Sequence, residues 1–142
     1  MQRHPALRSL SSEHHTGLVL ARRARKAAGQ GAPAQAAAWQ AIRKIFDSEL
    51  EPHFQREEHG LLPVLRAAGE VDLVDRTLRE HRSMRSLIAE NRPGNLAPFA
   101  ESLRAHIRFE ENALFETAQR VLRPKVLADL ERALNSSREA AE

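Results

Sequence analysis

The sequence predicts an all-α protein, an up-down-up-down four-helix bundle followed by a short C-terminal fifth helix. Three observations carry that expectation. Apolar residues recur at spacings of three and four along four segments of about twenty residues, the period of a helix buried on one face. Glycine and proline punctuate the chain between those segments, and connections that short make neighbouring helices antiparallel. No segment alternates apolar and polar residues convincingly over the length of a strand.

The first helix is expected to run from a cap at Ser11 or Ser12 to about Ala28, where Gly29, Gly31 and Pro33 end it. The second starts near Ala34, carries Trp39, Ile42, Ile45, Phe46, Leu50, Phe54, Leu61 and Leu65 on one stripe, and closes at Gly69. Pro52 lies inside it, removes one backbone donor, and is expected to bend the helix just before His53. The third spans roughly Val71 to Glu90 and stops before Asn91, Pro93 and Gly94; the fourth spans roughly Leu96 to Leu122. The short fifth helix is expected near Lys125 to Asn135, after Pro124. A chain of 142 residues suits one domain, here 1–142 with the bundle over about 11–122.

Cysteine and tyrosine are both absent, which removes disulfides, thiolate ligands, cysteine nucleophiles and tyrosyl radicals from consideration. Histidine and carboxylate chemistry remains. The N-terminal MQRHPALRSL lacks the apolar run of a signal peptide, and no segment approaches the roughly 20 apolar residues of a membrane span, so a cytoplasmic location without membrane contact is expected. The formal charge is +3, with basic residues concentrated in ARRARK, Ala21 to Lys26. Such a run could attract nucleic acid, but without neighbouring aromatics a solvated helix face is the better reading.

On the first helix His14 borders the apolar and small stripe of Gly17, Leu18, Leu20, Ala21, Ala24 and Ala28, whereas His15 turns toward Arg22 and Lys26. On the second, His53 and Glu57 lie one turn apart on the face of Leu50, Phe54 and Leu61, while Glu58 and His59 rotate away. His81 sits with Val74, Leu78, Met84 and Ile88; His106 and Glu110 share a face with Leu103, Phe109, Ala113 and Leu114. Each of the four helices therefore aims a histidine inward.

The order is H, HxxxE, H, HxxxE: HFQREEHGLLPVL at 53–65 is echoed by HIRFEENALFETA at 106–118, and the pairs Glu13-His14 and Glu80-His81 precede them. Two similar hairpins facing each other would bring four imidazoles and two carboxylates into one layer. Six buried polar groups without a shared partner would cost several kcal/mol each, in a domain whose whole stability is about 5 to 15 kcal/mol. A dinuclear metal site removes that cost, since carboxylates can bridge two cations while neutral imidazoles complete each coordination sphere. Iron suits the mixture best, with manganese and zinc as rivals. His15 and His59 lie on solvated faces, and His4 falls in an N-terminal segment expected to be flexible.

The motifs LSSEHH (Leu10 to His15), PHFQREEHGLLP (Pro52 to Pro63), EHRSMRSLI (Glu80 to Ile88) and HIRFEENALFE (His106 to Glu116) resemble those of the hemerythrin-like (HHE) cation-binding family, over nearly the whole span from Leu10 to Leu122. The resemblance implies a four-helix bundle with a non-heme di-iron centre that carries, stores or senses dioxygen, or senses iron or nitric oxide. It implies His14, His53, Glu57, His81, His106 and Glu110 as ligands. The oxygen carriers of the family have a further histidine one turn after the third-helix ligand, and Arg85 stands there instead. Their last carboxylate also sits five residues after its histidine, which would select Glu111; symmetry with Glu57 favours Glu110. Glu58 and Glu111 are left as alternative ligands or as partners that orient an imidazole, and His15 as a fifth imidazole if the first helix is rotated.

Three function classes follow. The favoured one is a di-iron protein responding to dioxygen, nitric oxide or iron, with an open position in an apolar pocket formed by Leu18, Phe54, Met84 and Phe109 and a signalling partner or second copy reading its state. A di-iron oxidase or peroxidase is the alternative, weakened by the lack of any ExxH pair, the motif of carboxylate-rich di-iron proteins. A metal-free adaptor or nucleic-acid binder working through ARRARK leaves the HxxxE repeat unexplained.

Overall fold

The computed structural model describes residues 2–141, with side chains described through residue 137. These residues form five helices and no strand. Helix α1 is Pro5–Ala28, seven residues longer at its start than the Ser11 cap predicts. Its cap is His4: the imidazole Nδ1 accepts from the Ala6 amide at 3.0 Å, and Pro5 occupies the first position, where its missing donor is not needed. Histidine is an uncommon cap and serine a common one, which is why the sequence pattern points to Ser11 or Ser12. His4 is thus built into the helix rather than in a flexible segment, and Ser11 hydrogen-bonds Glu111 instead of capping.

Helix α2 covers residues 32–67 without a break: Ala32–Ile45, a π turn at Phe46–Leu50, Glu51–Arg56, a second π turn at Glu57–Leu61, and Leu62–Ala67. The first π turn is the local answer to Pro52. In it the Glu51 amide reaches back to the Phe46 carbonyl, so the ladder has already shifted register when the missing donor arrives. Helix α3 is Val71–Glu90 and ends on Asn91, whose left-handed conformation (φ 54°) suits asparagine. The Asn91 side chain accepts from the Trp39 indole at 3.0 Å, tying this turn to α2. Helix α4 covers residues 96–121, again with a π turn, Glu110–Leu114, at its middle. Helix α5 is Pro124–Ala141, longer than the segment predicted.

The interior is two apolar clusters. One gathers Leu20, Trp39, Phe46, Phe54, Met84, Phe99 and Leu103 among others; the second gathers Leu7, Leu10, Leu61, Leu65, Val74, Leu114 and Phe115, closed over by Leu127, Leu130 and Leu134 of α5. Along each of α1 to α4 the chain crosses from one cluster to the other at a polar residue: His14 between Leu10 and Leu20, His53 and Glu57 between Leu50 and Leu61, His81 between Val74 and Met84, His106 and Glu110 between Leu103 and Leu114. The polar groups form the seam.

Helix α1 packs most extensively on α4. Gly17 makes this approach feasible, because a Cβ there would lie 2.7 Å from Ile107 Cδ1. Leu18, expected on the inward stripe, is 38% exposed. The inward face of α1 is carried here by Gly17, Leu20, Ala21 and Ala24, of which the glycine and the two alanines are small enough to let the helices close.

Candidate metal centre

All six side chains singled out in the sequence are buried and meet at the seam: His14, His53, Glu57, His81, His106 and Glu110. His15 and His59 are exposed. The two carboxylates lie between two imidazole pairs. Glu57 presents Oε2 to His53 Nε2 at 3.3 Å and Oε1 to His81 Nε2 at 3.1 Å. Glu110 presents Oε1 to His14 Nε2 at 2.8 Å and Oε2 to His106 Nε2 at 3.1 Å. Two overlapping groups result, His14, His53, Glu57 and Glu110, then Glu57, His81, His106 and Glu110, with potential ligand atoms within 4.8 Å of one another in each. Either group could hold a cation, and the carboxylates belong to both.

The other nitrogen of every imidazole is committed outward. His14 Nδ1 donates to Glu111 Oε2 at 2.7 Å, His53 Nδ1 to Glu13 Oε1 at 3.0 Å, His81 Nδ1 to Glu58 Oε2 at 2.6 Å and His106 Nδ1 to Glu80 Oε1 at 2.7 Å. A carboxylate can only accept, so each Nδ1 carries the proton and each Nε2 of a neutral ring turns its lone pair inward. Each of these outer glutamates in turn meets an arginine: Glu111 with Arg3, Glu13 with Arg56, Glu58 with Arg85, Glu80 with Arg76. The ring planes are held from the side as well. Phe54 stacks on His81 at 3.9 Å and Phe115 on His14 at 5.3 Å.

An unbridged cluster of this kind is electrostatically incomplete. Of eight buried side-chain polar atoms without a hydrogen-bond partner among the described residues, six are here: Nε2 of His53, His81 and His106, both oxygens of Glu57, and Oε2 of Glu110. Lone pairs facing lone pairs at about 3 Å need a positive charge between them, supplied by protons or by metal ions. Without metal, protons fill the role. Burial opposes charge on His81, but the carboxylates of Glu110, Glu57 and Glu58 that face its ring outweigh it and push its pKa up to about 11. His106 rises to about 9, burial again being overcome by the Glu110 charge, and His14 and His53 rise for the same kind of reason. Burial pushes Glu110 upward, yet the His106 charge and hydrogen bonds hold it well below the usual carboxylate range. In the outer ring, burial opposes while His81 and Arg85 prevail, bringing Glu58 down to about 2. The donor set, two shared carboxylates and four oriented imidazoles, therefore fits divalent metal.

The sequence left Glu58 and Glu111 open between ligand and orienting roles, and the structure places both against Nδ1 atoms. It assigned no role to Glu13 and Glu80, though each precedes an inward histidine in a repeated Glu-His pair. That pair was the available signal: the glutamate serves the histidine of the next helix, not its own neighbour. Arg85 points to Glu51 and Glu58 at the edge of the seam. The local geometry explains HxxxEE: Glu57 and Glu110 each open a π turn, and π turns inside α-helices recur at functional sites.

Compared with known proteins, residues 5–118 match the hemerythrin HHE cation binding domain. Neither a curated protein nor a solved structure gives a significant match. The buried His/Glu cluster and the family match agree on a metal-binding domain. By that match, which spans most of its length, the chain belongs to the hemerythrin HHE cation-binding domain family.

Proposed function

We propose that the chain is a non-heme di-iron protein that binds or senses dioxygen, nitric oxide or iron. The observation that carries this reading is the inward set of unpartnered atoms, distributed so that two carboxylates serve two histidine pairs. His14 and His53 would hold one ion, His81 and His106 the other, and Glu57 and Glu110 would be shared between them. Mixed imidazole and carboxylate donors suit ferrous and ferric iron, with manganese and zinc as competitors. Iron bound in such a site supplies an electron-exchanging centre that accepts a small diatomic ligand.

The chain's own residues prepare that chemistry. Glu13, Glu58, Glu80 and Glu111 fix the tautomer and orientation of the imidazoles, which strengthens them as ligands. Phe54, Met84, Phe109 and Phe115 are buried and shield the seam from bulk water. Leu18 does not join that pocket, being on the surface. Four outer glutamates are offset by four arginines, so the charge of the ions is balanced chiefly by Glu57 and Glu110.

The first four helices are read as an up-down-up-down bundle within one domain, residues 1–142, because each connection is short, with α5 covering one end. Among the described residues no helix is long and apolar enough to cross a membrane, and a cytoplasmic protein that signals through a separate partner or a second copy is the setting proposed. Anaerobic reconstitution with ferrous iron should give about two metal ions per chain by elemental analysis, with the six inward side chains supplying the donors. Exposure to air or nitric oxide should then change the near-ultraviolet and visible absorption. Absence of stoichiometric metal at neutral pH would overturn the proposal.

A further inference from the structure

The metal centre does not use the basic ARRARK segment, and the structure shows where part of it goes. A groove of about 790 Å³ runs between α1 and α4. Its floor is apolar, formed by Ala21, Ala28, Ala97, Ala100 and Ile107, with exposed Leu18 at its edge. Arg22 and Arg25 stand on the α1 wall, Arg104 and Arg108 on the α4 wall. All four are exposed and make no ion pair or hydrogen bond within the described residues. Two glutamates reach the groove. Glu111 is occupied by Arg3, Ser11 and His14, which leaves Glu101 alone against four arginines.

The groove is elongated. At a rise of about 1.5 Å per residue, the lining stretches from Leu18 to Ala28 on α1 for about 15 Å and from Ala97 to Asn112 on α4 for about 22 Å. That is the length of a helix of three to four turns, and an apolar floor between two walls of like charge is the complement of an apolar stripe flanked by carboxylates. We propose that the α1–α4 groove docks an acidic amphipathic helix of a partner protein, its apolar stripe on the alanine floor and its carboxylates on Arg22, Arg25, Arg104 and Arg108.

The charges select this occupant. A second copy meeting the first through the same face would set arginines against arginines. A nucleic-acid strand finds no aromatic ring among the lining residues on which to stack a base. A bilayer surface is flat where this face is concave, whereas a helix fills a groove. The proposal goes beyond the metal reading and does not depend on which ion, if any, occupies the seam; the groove meets the centre only at Glu111.

The test uses the full-length chain and a fluorescently labelled synthetic helix of about 18 residues, leucine and alanine on one face and glutamate on both flanks, followed by anisotropy. Saturable binding is expected, weakening about tenfold when salt rises from about 50 to about 300 mM, and lost when the peptide glutamates are replaced by glutamine. Arg104→Glu with Arg108→Glu should abolish binding while leaving the helical circular dichroism unchanged, and a peptide with lysine on one flank and glutamate on the other should bind that variant. No saturable binding, or equal binding of the glutamine peptide, would overturn the proposal. So would tighter binding of a short DNA duplex or of phosphatidylglycerol vesicles. The salt and peptide arms use the unaltered chain, so a variant that failed to fold would not rescue a negative result.

Discussion

Arg85 donates from Nη1 to Glu58 Oε2 at 2.8 Å, and the same oxygen accepts the Nδ1 proton of His81 at 2.6 Å. The arginine thus acts on the imidazole through the glutamate. Glu58→Ala should lower metal affinity by about 10- to 100-fold, the usual effect of removing the partner that orients a ligand histidine. Arg85→Ala should cost less than about tenfold, because Glu58 keeps its bond to His81 and only loses its counter-charge. Chelator competition on the two variants checks the order; an Arg85→Ala loss larger than that of Glu58→Ala would give the arginine a different role.

Glu57 and Glu110 belong to both groups of donors, whereas each histidine belongs to one. The variants should therefore sort by stoichiometry. Glu57→Ala or Glu110→Ala should lose both ions, while His14→Ala and His106→Ala should each retain about one. Elemental analysis after gel filtration, with circular dichroism to confirm the fold, distinguishes this from a pair of independent sites, for which no carboxylate variant would empty the chain.

Removal of metal should reverse the sign of the pH dependence. In the metal-free chain the histidine pKa values are raised above the ordinary 6.5, to about 9 for His106 and about 11 for His81. Their contribution is full below about pH 6.5 and is lost as pH climbs through the folded values. Glu58 works in the other direction: its pKa falls from 4.5 to about 2, so its contribution is present above about 4.5 and disappears on acidification toward 2. Metal-free protein should thus melt higher at pH 6 than at pH 9. The loaded protein needs neutral imidazoles and should lose stability as pH falls below the histidine range. Thermal melts at both pH values, with and without chelator, carry the comparison.

Gly17 should resist substitution for a steric reason. Alanine is the better helix former by about 1 kcal/mol, but its Cβ would lie 2.7 Å from Ile107 Cδ1. Gly17→Ala is expected to lower stability by about 1 kcal/mol net, since overpacking costs about 1 to 3. In an Ile107→Val background, where Cδ1 is gone and the next atom, Leu50 Cδ2, lies at 3.7 Å, the same change should be neutral or stabilising. Urea denaturation of the four proteins of this cycle gives the answer.

Much of this arrangement was legible in the sequence, for identifiable reasons. The α3 boundaries followed from glycine, asparagine and proline punctuation, and the inward turn of His14, His53, His81 and His106 from their place on apolar stripes. The π turns were not legible. A wheel drawn at 100° per residue assumes an unbroken ladder, and the turns at Glu57–Leu61 and Glu110–Leu114 each shift its register; the second contains no glycine or proline, and Gly60 in the first is a residue that an ordinary helix also tolerates. Leu18 failed because small residues, not large ones, face α4 where the helices touch. Of the outer glutamates, Glu58 and Glu111 were open to an orienting role, whereas Glu13 and Glu80 were missed because the histidines they serve lie on the next helix rather than beside them in sequence.

The four Nδ1 bonds also have an order. His53 of α2 reaches back to Glu13 of α1, His81 of α3 to Glu58 of α2, His106 of α4 to Glu80 of α3, and His14 of α1 to Glu111 of α4. The circuit closes on itself. At this height the open chain behaves as a hoop, and no one of the four helices can swing out without parting two staves from their neighbours.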